Sequence, residues 1–225
     1  YKEFALAKQH DRVQSRTVEV TAEQEARAAK LMTENLVISM HDHCFIAPED
    51  LSEFLEFRRW GRDFTGYEGL ALSGMDAVFD NMMDGTAMIT SRAGWKWDDV
   101  IFDLGMRLSD IAHQDMLVLA TRTKHIRDAK KNGQIAFVVS IEGAAMIENE
   151  LDRIDVLYGL GVRCLGIAYS EGIALGAGLK EPRDGRHTRL GPPPVEPKKK
   201  QRKPKDKNHT RHHTNQDTQQ ATNHP

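Results

Sequence analysis

Two imidazoles stand one residue apart at the end of an apolar run: Val37-Ile38-Ser39-Met40 leads into His41-Asp42-His43. Alternate side chains of an extended strand share a face. His41 and His43 therefore point one way and Asp42 the other. Two neutral imidazoles at the C-terminal end of a strand can grip one cation at about 2.0–2.1 Å. The same spacing also suits a pair of loop histidines bonded to backbone or water. Glu142 poses a related question. It ends the run Ala136-Phe137-Val138-Val139-Ser140-Ile141 and is followed by Gly143. A carboxylate at the end of an apolar strand is costly to bury unless it is paired or ligates a cation. A glutamate can also bridge two metals about 3.5–4 Å apart, the arrangement that activates water. The alternative is that Glu142 caps the loop that follows.

Such residues converge only if the elements carrying them lie side by side. Thr21 and Gln24 form a capping-box pair ahead of a helix-forming stretch, Ala22 to Met32. Leu36 to Ser39 reads as a buried strand. Pro48 marks a helix start with acids in its first turn. Residues 74–85, GMDAVFDNMMDG, read as a short helix stopped by Gly85, and Thr86 to Ser91 as a strand. Ile101, Leu104, Leu108 and Ile111 give an amphipathic helix over Asp98–His113. Residues 115–120 read as a short strand. Thr123 to Asn132 reads as a helix closed by Gly133, with Lys130 and Lys131 in its last turn. Ile135 to Gly143 is the clearest strand of the chain. A helix marked by Leu151, Ile154 and Leu157 follows, ended by Gly159 and Gly161, and then a strand over 162–170. Strands alternating with helices imply βαβ units and a parallel sheet. Both an open doubly wound sheet and a (β/α)8 barrel fit this order. No Gly-x-Gly-x-x-Gly follows the first strand, which weighs against a nucleotide-binding sheet.

The composition is that of a water-soluble chain up to about residue 186 and then breaks. Residues 187–225 hold nine Lys/Arg, three Asp/Glu, six Pro, five His and no aromatic residue. The preceding 186 residues hold 22 basic and 30 acidic residues, so an acidic body carries a basic tail. That tail has too few apolar side chains to offset the entropy of ordering it and is expected to be disordered. No run of about 18 apolar residues is present, so no membrane-spanning helix is expected. No signal peptide is visible either, which makes a cytoplasmic location the expectation, although the chain begins at Tyr1. Cys44 and Cys164 supply no disulfide framework and read as two buried thiols. His113 and His125 fall on helices and read as locally satisfied. Met75, Met82 and Met83 read as core filling.

Taken together, VISMHDHCF (37–45), GQIAFVVSIEGA (133–144), LYGLGVRCLGIAYSE (157–171) and GLKEPRDG (178–185) resemble the first half of the membrane (renal-type) dipeptidase family. These are binuclear zinc enzymes of the amidohydrolase superfamily. The resemblance runs from about residue 30 to Gly185. It implies an α/β fold in which 1–186 form about the first four units of a (β/α)8 TIM-type barrel, with 187–225 as a disordered basic, His-rich tail. It implies Zn²⁺ as cofactor, two ions in complete members, held here by His41, His43 and the bridging Glu142. The implied substrate is a small peptide or dipeptide, cleaved by metal-activated water. Homo-oligomerisation fits the same reading.

Three departures qualify that expectation. The best-known members carry His-x-Asp where this chain has His41-x-His43; imidazole can replace carboxylate on zinc. They carry a substrate-binding histidine where this chain has Tyr169, which can still donate a hydrogen bond to substrate. The chain leaves the family pattern at about Arg186, where two further metal-binding histidines and the general-base aspartate should follow in later strands; a reading-frame slip or truncation would give such a tail. No general base is therefore assigned, Asp184 receives no role, and the chain alone is expected to be inactive. The tail histidines His187, His209, His212, His213 and His224 cannot hold a preorganised site from a disordered segment. Trp95 and Trp97 flank a loop near the expected site mouth. A different reading is a non-enzymatic protein whose basic residues 198–205 contact nucleic acid or metal; it is the weaker one.

Overall fold

The most apolar run of the chain becomes its central strand. In the computed structural model, which describes residues 2–12, 18–60, 65–82, 96–169, 172 and 175–178, a five-stranded, all-parallel sheet is built around Ile135–Ile141. In chain order the strands are β1 (Ile38–Asp42), β2 (Ala77–Met82), β3 (Leu117–Leu119), β4 (Ile135–Ile141) and β5 (Val162–Leu165). The α-helices are α1 (Ala22–Glu34), α2 (Phe54–Trp60), α3 (Tyr67–Ser73), α4 (Trp97–Ala112), α5 (Thr123–Lys131) and α6 (Arg153–Gly159). The sheet runs β1-β2-β4, and the far edge of β4 is shared. β3 pairs with its first half, Ile135 to Phe137, and β5 with its second half, Val139 to Ile141. The fold is thus α/β with a parallel sheet, as expected; among the described residues the sheet is open. All of them fall in the first of two units of the chain, residues 1–193.

Alternation along β4 sorts two apolar layers. Ile135, Phe137, Val139 and Ile141 join Val78 and Met82 of β2 and Val100, Leu104 and Ile111 of α4. Ala136 and Val138 face the other way, with Ala77 of β2 and Ala129 of α5. Every residue of β4 is buried, as a parallel strand covered on both sides requires. The small side chains at 77, 129 and 136 let α5 approach the sheet closely. Lys130 of α5 then reaches the Asp76 carboxylate, with Nζ 2.8 Å from Oδ2, tying the helix to the start of β2.

Several elements match the sequence reading. The Thr21–Gln24 capping box is formed on both sides. α4 buries Leu104 and Ile111 of the predicted stripe, and Ile101 and Leu108 pack partly buried against the same cluster. His113 Nδ1 bonds the Ser109 carbonyl and His125 Nδ1 accepts from the Thr121 amide, both local contacts. Met82 is buried and Met75 packs against the same cluster.

Others need correction. The segment read as a helix over 74–85 forms strand β2 over Ala77–Met82. Its Val78, Asp80 and Met82 alternate with Ala77 and Asn81, and both sets are buried. A two-sided burial pattern looks like neither template in sequence. The first strand is Ile38–Asp42, two residues later than read, and it is not buried: Met40 is 66% exposed. Among the described residues it is an edge strand. The helix near Pro48 starts only at Leu51, as a short 3-10 turn capped by Asp50. Of the three residues that marked α6, only Leu157 is buried. Of the two cysteines, Cys44 is buried and Cys164 exposed. The strand expected over Thr86–Ser91, with Met83, Trp95, Arg186 and the 187–225 tail, lies outside the described residues.

Behind the sheet, Tyr67 of α3 is half-buried, and its hydroxyl donates to the Asp110 carbonyl at 3.5 Å. Burial, and then the Asp110 side chain beside the hydroxyl, push its pKa from 10.0 up to about 12. Between those values the unfolded chain gives up the proton while the folded chain keeps it. Stability from this group is therefore intact below pH 10 and lost as pH rises towards 12. Thermal midpoints measured over this range should fall, and Tyr67→Phe should flatten the decline.

Candidate metal centre

The position of the two histidines depends on an irregularity in β1. Ile38 pairs with Ala77 and Ser39 with Val78, but Asp42 pairs with Asp80. Three steps along β1 therefore match two along β2, so β1 carries one extra residue between Ser39 and Asp42. Without this bulge, His41 would face the layer of Val78 and Asp80. With it, His41 and His43 turn to the face shared by Asn81 of β2 and Ser140 of β4. Re-aiming a side chain is a recurrent use of β-bulges near functional sites.

Glu142 arrives from β4. The β2–β4 register runs unbroken from Ala77↔Ala136 to Met82↔Ile141. The Glu142 amide continues it by donating to the Met82 carbonyl at 3.1 Å. The Glu142 side chain is only 11% exposed, against 57% for His41. His41 Nε2 lies 3.3 Å from His43 Nε2 and 3.7 Å from Glu142 Oε1. One ligand atom from each of the three lies within 4.8 Å of the others. Two nitrogens each about 2.0–2.1 Å from one centre at a tetrahedral angle sit about 3.3–3.4 Å apart. The histidine pair meets that spacing, and two imidazoles with one carboxylate form a borderline-to-hard donor set suited to a divalent transition metal. The residues present fit a cation.

A polar frame holds the ligands. His43 Nδ1 donates to the Asn81 backbone carbonyl at 2.7 Å. That leaves its Nε2 lone pair facing His41. The Asn81 side-chain amide sits 2.6 Å from His41 Nδ1, and the Ser140 hydroxyl donates to Asn81 Oδ1. Asp42 Oδ1 accepts from the His43 amide at 2.8 Å. One residue further, the Cys44 amide donates to Asp80 Oδ1 at 2.8 Å. Asp80 is 1% exposed, and its Oδ2 has the Arg107 guanidinium 3.2 Å away, an ion pair without an aligned hydrogen bond. Arg107 also donates to Thr65 Oγ1 at 3.0 Å, and Thr65 to Asp110 at 2.5 Å. Burial, then the charge on Asp80, raise the pKa of the Cys44 thiol well above its ordinary value near 9.0, which keeps it protonated and unreactive.

The structure thus brings together three of the four predicted site residues. The fourth, Tyr169, lies beyond β5, is 41% exposed, and has no described contact with the three. Trp97 is the first residue of α4 and packs against the core, with the Arg153 guanidinium 5.0 Å from its ring centre. Asp80 and Asn81 were not legible as site residues, because their strand was read as a helix, and Arg107 of α4 was not, because its partner Asp80 was not recognised. The one available signal was Asp80-Asn81 inside an otherwise apolar run.

The match to known proteins covers the strand that carries the glutamate. Residues 104–191 match the model of the membrane dipeptidase family, peptidase family M19. The resemblance seen in the sequence is borne out over that stretch. The M19-matching segment takes in most of α4, β4 with Glu142, and β5; His41 and His43 precede it. Among solved structures, an amidohydrolase from Pseudomonas aeruginosa has a similar fold, with a TM-score of 0.50 and 19% sequence identity over 72% of this chain. The chain spans 42% of that protein's length. No curated protein matches the sequence significantly.

Proposed function

We propose that the chain carries the cation-binding part of an M19-type hydrolase, with His41, His43 and Glu142 as ligands and Zn²⁺ as the ion. The observation that carries this reading is the convergence of three ligand atoms within 4.8 Å from two strands far apart in sequence. The family match over residues 104–191 supports it. When bound, such an ion lowers the pKa of a coordinated water and polarises a carbonyl. The chain's own contribution is geometric. β1 and the residue that follows it present the two imidazoles, Glu142 supplies the low-exposure carboxylate, and Asn81 and Asp80 fix the backbone on either side. The substrate class is a small peptide or dipeptide-like amide, with Tyr169 as a substrate-side hydrogen-bond donor.

Residues 1–186 would then form the β/α part and 187–225 a separate basic tail. Among the described residues no helix is long and apolar enough to cross a membrane.

Titration of the full chain with Co²⁺ tests the reading. The expected result is one tight site with a tetrahedral absorption band, abolished in His41→Ala and in Glu142→Gln. Binding unaffected by both replacements would overturn it. The described residues offer three ligands and no second metal-binding group. For the 225-residue chain alone the expected outcome is therefore cation binding without dipeptide turnover above background. Turnover dependent on Glu142 would show that the remaining machinery is present.

A further inference from the structure

Asn81 touches both candidate histidines, and its two contacts make unequal demands. Its backbone carbonyl accepts from His43 Nδ1, so that ring carries its proton on Nδ1 and leaves Nε2 free to coordinate. The side chain meets His41 at Nδ1, at 2.6 Å. Because the Ser140 hydroxyl donates to Asn81 Oδ1, the amide nitrogen is the atom facing His41. An NH₂ group has no lone pair to offer, so His41 Nδ1 must accept, and a neutral His41 then carries its proton on Nε2. That proton points towards the lone pair of His43 Nε2, 3.3 Å away, and Glu142 Oε1, 3.7 Å away. The arrangement is self-consistent without a cation. It is the wrong tautomer for one.

We propose that Asn81 and Ser140 form a reversible support for His41. The amide donates to Nδ1 in the cation-free protein; turned over, it accepts from Nδ1–H when Nε2 is committed to a cation. In that step the imidazole proton moves from Nε2 to Nδ1. Asn81 Oδ1 takes the place of Nδ2, and Ser140 changes from donor to acceptor. No proton is gained or lost, and Asn81 keeps one hydrogen bond to His41 and one to Ser140 in both states. Only an amide opposite a hydroxyl allows this, since each group can both give and accept. Asn81 is 8% exposed and Ser140 1%, so the bond between these two is closed to water. Asn81 is thus a positioning residue for the cation site proposed above, and the inference rests on that reading.

The test uses the full chain with ¹⁵N-labelled histidine, at pH 8, and Zn²⁺ as the probe. Long-range ¹⁵N–¹H spectra of the metal-free protein should show His41 protonated on Nε2 and His43 on Nδ1; Zn²⁺ should move the His41 proton to Nδ1. Asn81→Asp, which can only accept, should place a proton on His41 Nδ1 before any metal is added, and should bind Zn²⁺ at least as tightly as the parent. Asn81→Leu should weaken Zn²⁺ binding about 10- to 100-fold, the usual cost of losing a ligand's hydrogen-bond partner. Ser140→Ala, a milder change should Asn81→Leu not fold, should leave His41 as a mixture of tautomers. A metal-free parent with His41 already protonated on Nδ1 would overturn the proposal. So would Asn81→Leu binding like the parent while His41→Ala does not bind. Zn²⁺ binding unchanged in His41→Ala would instead remove the cation site itself.

Discussion

Replacing Gly166 with alanine should both destabilise the fold and displace Glu142. Gly166 follows β5 and donates its amide to the Ile141 carbonyl at 2.8 Å. A Cβ placed there would lie 2.0 Å from the Glu142 carbonyl oxygen and 2.9 Å from its carbonyl carbon. Both are backbone atoms, so no side chain can swing aside. Either β5 must move away from β4, or the peptide of Glu142 must. Overpacking of a tight core contact costs about 1–3 kcal/mol, sometimes more, and this overlap belongs at the upper end, about 3 kcal/mol. Because the atom displaced belongs to the candidate ligand, cation affinity should fall with stability, about 10- to 100-fold. Gly105→Ala is the matched control. A Cβ at Gly105, within α4, meets nothing within 4 Å, so alanine there should stabilise by about 0.5–1 kcal/mol. Urea unfolding and Co²⁺ titration of both variants read the two effects. A Gly166→Ala protein with parental stability and affinity would show that β5 does not run against Glu142 as described.

The second large effect is expected at Arg107. Asp80 sits in β2 with its side chain 2% exposed, and Arg107 of α4, 13% exposed, is its charge partner. Arg107→Ala strands a buried carboxylate, which typically costs about 3–5 kcal/mol. The pair also supports the site. Asp80 Oδ1 holds the Cys44 amide, the residue after His43. A shifted urea midpoint with an unchanged slope would report a pure stability loss. The double variant Arg107→Leu/Asp80→Leu should recover much of it, because replacing both charges removes the stranded group along with its partner. If Arg107→Ala costs less than about 1 kcal/mol, water reaches Asp80 and the pair is not the clamp described.

How much of this was legible beforehand follows from the kind of signal each residue leaves. β4 was legible because a run of apolar residues ending in Glu142-Gly143 has one economical reading in a parallel sheet. α1 and α4 were legible because caps and a 3–4 stripe are local patterns. His41, His43 and Glu142 were legible by residue type, since few arrangements justify a carboxylate at the end of such a strand. β2 was not legible. With Asp80 and Asn81 set between apolar neighbours, its residues follow neither an alternating nor a helical period, and both faces are used. Cys164 was misplaced for a related reason. A strand's neighbours decide its exposure, and β5 covers only half of β4.

The sequence by itself thus determined that parallel strands are connected by helices, apart from β2, together with the central strand and the identities of three ligand candidates. Those depend on local periodicity and on the cost of burying charge. Only the tertiary structure decided that the histidines face Glu142 at all. The extra residue in β1 reverses which face His41 and His43 occupy, and a bulge is visible only in the register between two strands. Pairing across 39 residues, such as Ser39 with Val78, is a non-local property that no window along the chain contains.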